Sequence, residues 1–192
     1  SGEPFSFFCD LIDAQQGGYG AFVEMEDLAI CSASPELFFE LTDGVITSKP
    51  MKGTRKRGVT IEADRDAAVE LKQSQKDRAE NIMIVDMIRN DIGRVAEAGS
   101  VDTLSHFDIE KYPTVWQMTS TVQGDVNVDA VSSPRFPLQG ERGEDTASTL
   151  GMLLSALFPC SSITGAPKAK TMGIIRELEQ STSGLASPRG VY

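Results

Sequence analysis

A short basic segment, residues 49–57, contains the residue types most suited to chemistry. It places five cationic side chains in nine positions of a chain whose formal net charge is -10. Within it, Gly53 would let the backbone approach a ligand closely because it lacks a Cβ, and Thr54 adds a hydroxyl group. Neighbouring positive charges disfavour the ammonium form of Lys52, and a partly neutral lysine can act as a nucleophile. The alternative interpretation is a solvated loop whose charges are offset by acidic neighbours.

A pair of carboxylates, Asp77 and Glu80, is the second candidate. Ser74 and Asp77 match a capping box, which predicts that a helix begins there. An apolar stripe follows at steps of four, four and three residues: Ile84, Ile88, Ile92 and Val95. Counting back along the stripe places Glu80 and Asp77 on it. Because unpaired buried charge is costly, a divalent cation is predicted, with Glu80 as a direct ligand and Asp77 beside it. Alternatively, Asp77 only caps the helix and Glu80 pairs with Lys76.

A third candidate is the loop that contains Ser162, Thr164 and Gly165. It leads into a predicted helix that runs through Glu179, and Pro167 suits the first turn of that helix. The free N–H groups of a helix start could hold a carboxylate together with the three loop residues. Loops of this composition more often only cap the helix that follows. The GxxxxGK[ST] order is absent, so the segment is not a Walker A phosphate loop.

The elements that must position these groups are short strands and helices. The apolar pattern predicts strands at residues 19–25, 28–32, 37–41, 45–47, 101–108 and 114–122, and helices within residues 3–14, 60–96 and 149–157. Asp43 and Gly44 form a strong hairpin signal between the third and fourth strands. Glu36 and Lys52 lie near opposite ends of that hairpin, which is compatible with their meeting across it. Residues 125–147 are predicted to be a long surface loop. Together these elements predict an α+β fold.

Composition excludes several classes of protein. With 192 residues, 40% of them hydrophobic, the chain fits one domain with a sizeable core. The three cysteines are widely spaced and lack a CxxC pair, which argues against a disulfide framework or a zinc site. The acidic balance disfavours nonspecific binding to nucleic acid, and no segment resembles a secretory signal or a membrane span. We therefore expect a soluble protein of the cytoplasm or the plastid stroma.

Several motifs resemble those of the chorismate-utilising enzymes. Residues 34–37 (Ser-Pro-Glu-Leu), followed by residues 50–54 (Pro-Met-Lys-Gly-Thr), match the paired signature of that family. Further family motifs follow in the right order within residues 77–91, 112–118, 158–168 and 188–192. The family includes anthranilate synthase component I, aminodeoxychorismate synthase component I, isochorismate synthase and salicylate synthase. The resemblance covers nearly the whole chain.

The family fold is a sandwich of two antiparallel β-sheets with helices on the outside. The resemblance implies that residues 1–192 form a single, partial version of this chorismate-binding domain, which lacks its C-terminal part. We therefore expect the chain to be inactive alone.

The residue at position 52 distinguishes members of the family. It is usually alanine in anthranilate, isochorismate and salicylate synthases, whereas aminodeoxychorismate synthases have lysine, as here. The resemblance implies that Lys52 attacks C2 of chorismate while Glu36 protonates the departing 4-hydroxyl group. Ammonia then attacks C4 and expels the lysine, which gives 4-amino-4-deoxychorismate for 4-aminobenzoate and folate synthesis.

The resemblance also implies a cofactor, further contacts and a partner. Mg2+ would be held partly by Glu80, with Asp77 next to it. The residues implied or considered as substrate contacts are Gly53, Thr54, Ser162, Thr164, Gly165 and Tyr192. Ammonia would come from a glutamine amidotransferase subunit or fused domain, since nothing in the chain resembles a glutaminase Cys-His pair.

Two alternatives stay open at this stage. One is anthranilate synthase component I of tryptophan synthesis, and the other is a noncatalytic fragment that binds a ligand or a partner. Many relatives carry a histidine near the substrate where this chain has Gln117, which leaves that position at most a hydrogen-bonding role. The only histidine, His106, is assigned no role.

Overall fold

The computed structural model describes residues 3–15, 18–127, 145–165 and 168–178. In chain order these ranges form α1 (Pro4–Gln15), β1 (Tyr19–Met25), β2 (Leu28–Ser34), β3 (Leu37–Thr42), β4 (Val45–Lys49), β5 (Met51–Lys56), α2 (Ile61–Gln73), α3 (Gln75–Ile92), β6 (Asp102–Lys111), β7 (Val115–Asp125), α4 (Asp145–Leu157), α5 (Ser161–Thr164) and α6 (Lys168–Leu178). The predicted α+β class is confirmed. All strand pairs in the described residues are antiparallel.

The central strand of the main sheet is β7. One of its edges pairs with β6, and the other pairs with β4 near its end and with β5 near its beginning. The two strands β4 and β5 therefore follow one edge of β7 in succession, with Pro50 between them. Proline has no N–H to donate to a ladder, but the carbonyl of Pro50 accepts a hydrogen bond from the N–H of Ser120 at 3.2 Å.

The predicted hairpin between the third and fourth strands is confirmed. Its strands pair from Thr42 opposite Val45 to Leu37 opposite Lys49. The tight turn requires left-handed backbone at both central residues, with φ of 52° at Asp43 and 78° at Gly44. The hairpin places the residues that precede β3 beside those that follow β4, which is where the two predicted catalytic residues lie.

Several predicted boundaries differ from the structure. The segment predicted as helical between residues 60 and 96 contains two helices that meet at Ser74, where the capping box predicted a helix start, and α3 ends at Ile92 rather than at residue 96. Both long strands extend further than predicted, since β6 reaches Lys111 and β7 reaches Asp125. The predicted loop at 125–147 is too long at both ends, because residue 125 belongs to a strand and residues 145–147 to a helix; residues 128–144 lie outside the described ranges.

The core lies between the main sheet and α3. Its buried apolar side chains come from β4, α3, β7, the residue after β7, and α4: Ile46, Ile84, Val85, Ile88, Ile92, Val122, Val126, Leu153 and Leu157. Helix α3 is thus held along most of its length, with its first turn near β5. The other sheet consists of β1 and β2, with α1 packed on it through an aromatic cluster of Phe5, Phe8 and Phe22.

An ion pair fixes the end of β5 to the start of α2. Both oxygens of Asp64 accept hydrogen bonds from Arg57, from Nε at 2.6 Å and from a terminal guanidinium nitrogen at 2.5 Å. The same carboxylate accepts from the N–H of Gly58 at 3.0 Å and the indole N–H of Trp116 at 2.9 Å. The guanidinium of Arg57 and these further donors hold the pKa of Asp64 well below its usual range.

We expect Asp64→Asn to lower the melting temperature at neutral pH. A carboxylate with a depressed folded-state pKa contributes stability that is fully present above its unfolded pKa, about 3.9. That contribution is lost as the pH falls through the folded-state pKa. The difference in melting temperature between the native protein and the variant should therefore shrink below about pH 4. It can be measured by circular dichroism across a pH series.

Asp66→Asn is the matched control, because Asp66 lies exposed on the same helix two residues away. An equal effect from Asp66→Asn, or a loss from Asp64→Asn that does not change with pH, would contradict this account of the ion pair.

Candidate active site

The Lys52–Gly53 segment forms a β-bulge near the start of β5. Met51 pairs with Thr119 and Thr54 pairs with Gln117, so β5 advances three residues where β7 advances two. Gly53 has a φ of +95°, in the left-handed region that favours glycine. Bulges redirect side chains and are common beside active sites. The basic segment is therefore a distorted strand, and the predicted solvated loop is wrong for residues 51–56.

Acidic neighbours do offset much of the positive charge of this segment, as the alternative interpretation predicted. Three of its five cations form ion pairs: Lys49 with Glu110, Arg55 with Glu70 and Asp77, and Arg57 with Asp64. Lys52 forms no ion pair with any residue in the part of the chain that the structure describes. It is half-buried and acts electrostatically on Glu36.

Glu36 lies between β2 and β3, and the local backbone holds it in place. The hydroxyl group of Ser34 accepts a hydrogen bond from the N–H of Glu36 at 3.2 Å and donates one to its carbonyl at 3.1 Å. The Glu36 carboxyl group reaches across the hairpin and accepts from the N–H of Met51 at 3.4 Å. The predicted approach of Glu36 to the region of Lys52 is thus observed.

Burial makes the carboxyl group of Glu36 a weaker acid than that of an exposed glutamate. Desolvation raises the pKa of its carboxyl group, while the hydrogen bond from Met51 and the positive charge of Lys52 lower it by less. The net direction is upward, so the carboxyl group keeps its proton to a higher pH than an exposed glutamate does. A group that is to protonate a departing hydroxyl needs this property.

Tyr112 is a neighbour of Glu36 that the sequence analysis did not assign a role. Its hydroxyl group lies 3.4 Å from the carbonyl oxygen of Pro35 and 3.3 Å from Oε2 of Glu110. Burial, followed by the charge of Glu110, raises the pKa of Tyr112 to about 12. A neutral phenol at this point can donate a hydrogen bond to the backbone that carries Glu36. The position of Tyr112 within the 112–118 motif was the sequence feature that could have marked it as part of the site.

Thr54 and Gln117 form a cross-strand pair beside the bulge. The hydroxyl group of Thr54 donates to Oε1 of Gln117 at 2.8 Å. The hydrogen-bonding role left open for Gln117 is therefore observed toward a protein group. Packing also explains why position 53 is a glycine, because a Cβ at this position would lie 3.0 Å from the Cβ of Asp77. Contacts from Gly53 and Thr54 to substrate stay predictions.

The two carboxylates predicted on the core-facing stripe of α3 lie in different surroundings. Asp77 is buried and forms an ion pair with Arg55, whose guanidinium nitrogen lies 3.0 Å from Oδ2 of Asp77. The side chain of Glu80 is 44% exposed and lies 3.9 Å from Nζ of Lys76, the pairing considered as the alternative. The placement of Glu80 on the buried stripe is wrong, because Asn81 takes the fully buried position next to Asp77.

These surroundings decide which carboxylate fits Mg2+. The ion usually takes one or two protein carboxylates and completes its shell with water and substrate oxygens. Glu80 fits this description, since it is half-exposed and its contact with Lys76 is long. Asp77 does not, because a guanidinium already binds it. No cluster of three or more acidic, histidine or cysteine side chains suited to a metal occurs in the described ranges.

The predicted carboxylate-binding loop is a short helix, α5, followed by a turn. The Thr164 hydroxyl is buried and donates to the carbonyl of Cys160 at 3.1 Å. Gly165 ends the helix with a φ of +86°, and its N–H donates to the carbonyl of Ser161 at 2.8 Å. Both groups are used within the turn, so their contact with substrate stays a prediction. The side chain of Ser162, and all of Pro167 and Tyr192, lie outside what the structure describes.

Comparison with known proteins shows the family of the chain. Residues 1–192 match the family described as chorismate binding enzyme. The chain belongs to that family. No helix in the described ranges combines the length and apolar character needed to cross a membrane.

Among curated proteins, the chain is 43% identical to an aminodeoxychorismate synthase component 1 from Salmonella typhimurium over 178 residues, which is 93% of the chain and 35% of that protein. It is 41% identical to the protein of the same name from Escherichia coli over 179 residues, which is 93% of the chain and 36% of that protein. An aminodeoxychorismate synthase of Arabidopsis thaliana, named as chloroplastic, is 38% identical over 96% of the chain and 18% of that protein. The chain thus spans roughly a third or less of these relatives.

Solved structures show the same fold. Anthranilate synthase component I from Streptococcus pneumoniae matches with a TM-score of 0.70 and 31% identity, over 93% of this chain and 35% of that one. An isochorismate synthase from Bacillus anthracis matches with a TM-score of 0.65 at 20% identity, over 91% of this chain and 43% of that one, and supports the fold alone.

We predict that replacing Lys52 with methionine raises the pKa of Glu36 further. The charge of Lys52 lowers this pKa in the native protein, so its removal leaves burial less opposed. The pKa in the native protein should itself lie above the ordinary value of 4.5. Carboxyl carbon NMR titration of labelled glutamate measures both values, and Glu36→Gln assigns the signal.

Lys56→Met is the control. Lys56 is exposed on the same strand, and its replacement removes an equal charge. A Glu36 pKa below 4.5, or equal shifts from the two lysine variants, would show that Lys52 and Glu36 are not specifically coupled.

Proposed function

We propose that this chain carries the nucleophile and the general acid of an aminodeoxychorismate synthase. The observation that supports this most is the Lys52–Gly53 bulge. It presents the one lysine of the basic segment that acts on the half-buried carboxyl group of Glu36. The neighbouring Lys49 and Arg55 are held by carboxylates instead. Identities of about 40% to aminodeoxychorismate synthases across almost the whole chain support the same function.

In the first step, the neutral amine of Lys52 forms a bond to C2 of chorismate. The two ring double bonds shift, and the bond between C4 and its hydroxyl oxygen breaks. Glu36 gives its proton to that oxygen, so the leaving group departs as water. The ammonium proton of the attached lysine can then return to the Glu36 carboxylate. A hydroxide is a poor leaving group, which is why the step needs an acid with a raised pKa.

In the second step, ammonia forms a bond to C4, the double bonds return, and the bond between C2 and the lysine nitrogen breaks. The product is 4-amino-4-deoxychorismate, and Lys52 is regenerated with a proton released by the incoming ammonia. The covalent relay places the amine on the carbon that carried the hydroxyl group. Direct attack by ammonia at C2 would give a different product.

Other residues and partners belong to the same proposal. Mg2+, when bound, would neutralise a substrate carboxylate and fix the ring, and Glu80 would contribute one protein carboxylate to it. Ammonia would come from a glutamine amidotransferase, either separate or fused, as the relatives named component 1 suggest. The reaction would serve 4-aminobenzoate and folate synthesis in the cytoplasm, or in the plastid if the source is a plant.

Anthranilate synthase component I remains the second candidate, because one of its solved structures is 31% identical to the chain. The chemistry separates the two at position 52. An alanine leaves room for ammonia to attack C2 directly, whereas a lysine occupies that path and can itself attack.

We expect a covalent adduct on Lys52 when the full natural polypeptide containing these residues is incubated with chorismate and Mg2+ without ammonia. The mass should increase by that of chorismate less one water, because C4 loses its hydroxyl group when the lysine attaches. Intact-protein mass spectrometry detects this species, and fragmentation locates it.

Lys52→Ala should abolish the adduct, and Lys56→Ala should leave it intact. Absence of any adduct in the native protein, together with direct formation of fluorescent anthranilate once ammonia is added, would replace this proposal with the second candidate.

A further inference from the structure

The backbone of the bulge packs directly against the junction of α2 and α3. A Cβ built on Gly53 would lie 3.0 Å from the Cβ of Asp77 and 3.1 Å from Cδ1 of Leu71. Leu71 is fully buried near the end of α2, and Asp77 lies in the first turn of α3. The position of these two helices therefore limits where the peptide after Lys52 can go.

Arg55 ties this junction to the strand by hydrogen bonds in three directions. One terminal nitrogen donates to Oδ2 of Asp77 at 3.0 Å, and the other donates to the carbonyl of Thr54 at 3.0 Å. Nε donates to Oε1 of Glu70 at 3.1 Å. A planar guanidinium can bind three acceptors in fixed directions, which an ammonium group does less well.

The two acidic partners of Arg55 differ in their surroundings. The side chain of Asp77 is 12% exposed, whereas that of Glu70 is 69% exposed. Exposed ion pairs contribute little because water screens them and their side chains lose entropy. Asp77 is also fixed at the helix start, where its N–H donates to the hydroxyl group of Ser74 at 3.3 Å and the helix dipole favours a negative charge. The Arg55–Asp77 link is therefore the stronger of the two.

We infer that Arg55 and Asp77 are positioning residues for Lys52, which hold the bulge against α3 so that the lysine side chain stays directed toward Glu36. The inference rests on the proposed function for its catalytic meaning. It gives the buried carboxylate of Asp77 a role that needs no metal ion. It also explains why a charged pair lies three residues from the nucleophile on one side and at the head of the core helix on the other.

The test compares Asp77→Asn with Glu70→Gln, since each variant removes one carboxylate from Arg55 while keeping the side-chain shape. For Asp77→Asn we expect the rate of adduct formation on Lys52 to fall by about 10- to 100-fold, the size of loss that a small misplacement of a reacting group causes. The KM for chorismate should change little. Glu70→Gln should leave the rate within about twofold, as expected for an exposed pair.

A second readout does not involve chorismate. The shift in the Glu36 pKa caused by Lys52→Met reports how closely the two groups are coupled, and NMR titration measures it in each background. This coupling should shrink in Asp77→Asn and persist in Glu70→Gln. If the coupling shrinks as expected but the native protein forms no adduct, the positioning role stands and the proposed function fails.

Other outcomes would overturn the inference. One is a folded Asp77→Asn variant in which the coupling between Lys52 and Glu36 and the rate of adduct formation are both unchanged. The other is an Asp77→Asn variant whose only change is that it requires more Mg2+. A loss of melting temperature with unchanged coupling would assign Asp77 a purely structural role. If Asp77→Asn does not fold, Arg55→Gln carries the same test with the same expectations.

Discussion

The close packing of Gly53 against the first turn of α3 is the constraint on which the candidate site depends. A side chain at Gly53 would meet Asp77 and Leu71, and the backbone there has a φ that other residues adopt only with strain. The bulge that results separates the direction of Lys52 from the regular alternation of β5. Lys52, the proposed nucleophile, thus lies in a distortion of β5 that packs closely against the neighbouring helices.

The central sheet brings Glu36 close to the start of β5, where Lys52 lies. Strands β4 and β5 follow the same edge of β7, and the hairpin formed by β3 and β4 returns the chain so that Glu36 reaches the N–H of Met51. The ion pairs of Lys49, Arg55 and Arg57 remove most of the positive charge around Lys52. An acidic chain can therefore contain a strongly basic segment in which a single lysine acts on the half-buried carboxyl group of Glu36.

Local signals predicted much of the fold, and nonlocal partners explain what they missed. The Asp43–Gly44 turn and the Ser74 cap depend on adjacent residues, so the hairpin and the start of α3 were predictable. Counting back from Ile84 by four gives Glu80 and by three gives Asn81, and helical periodicity allows either on the buried face. Ser120 on β7 decides between them, since its hydroxyl donates to Oδ1 of Asn81 at 2.6 Å. Likewise, the partner of Asp77 lies 22 residues away in the chain, and no sequence spacing identifies it.

The position of the new amino group on the product separates catalysis through Lys52 from direct amination of the ring. The measurement supplies the full natural polypeptide with chorismate, Mg2+ and nitrogen-15 ammonia, and locates the labelled nitrogen by NMR and mass spectrometry. We expect nitrogen on C4, in 4-amino-4-deoxychorismate, which forms 4-aminobenzoate only after a lyase is added. Nitrogen on C2, with anthranilate formed without a lyase, would contradict the roles assigned to Lys52 and Glu36.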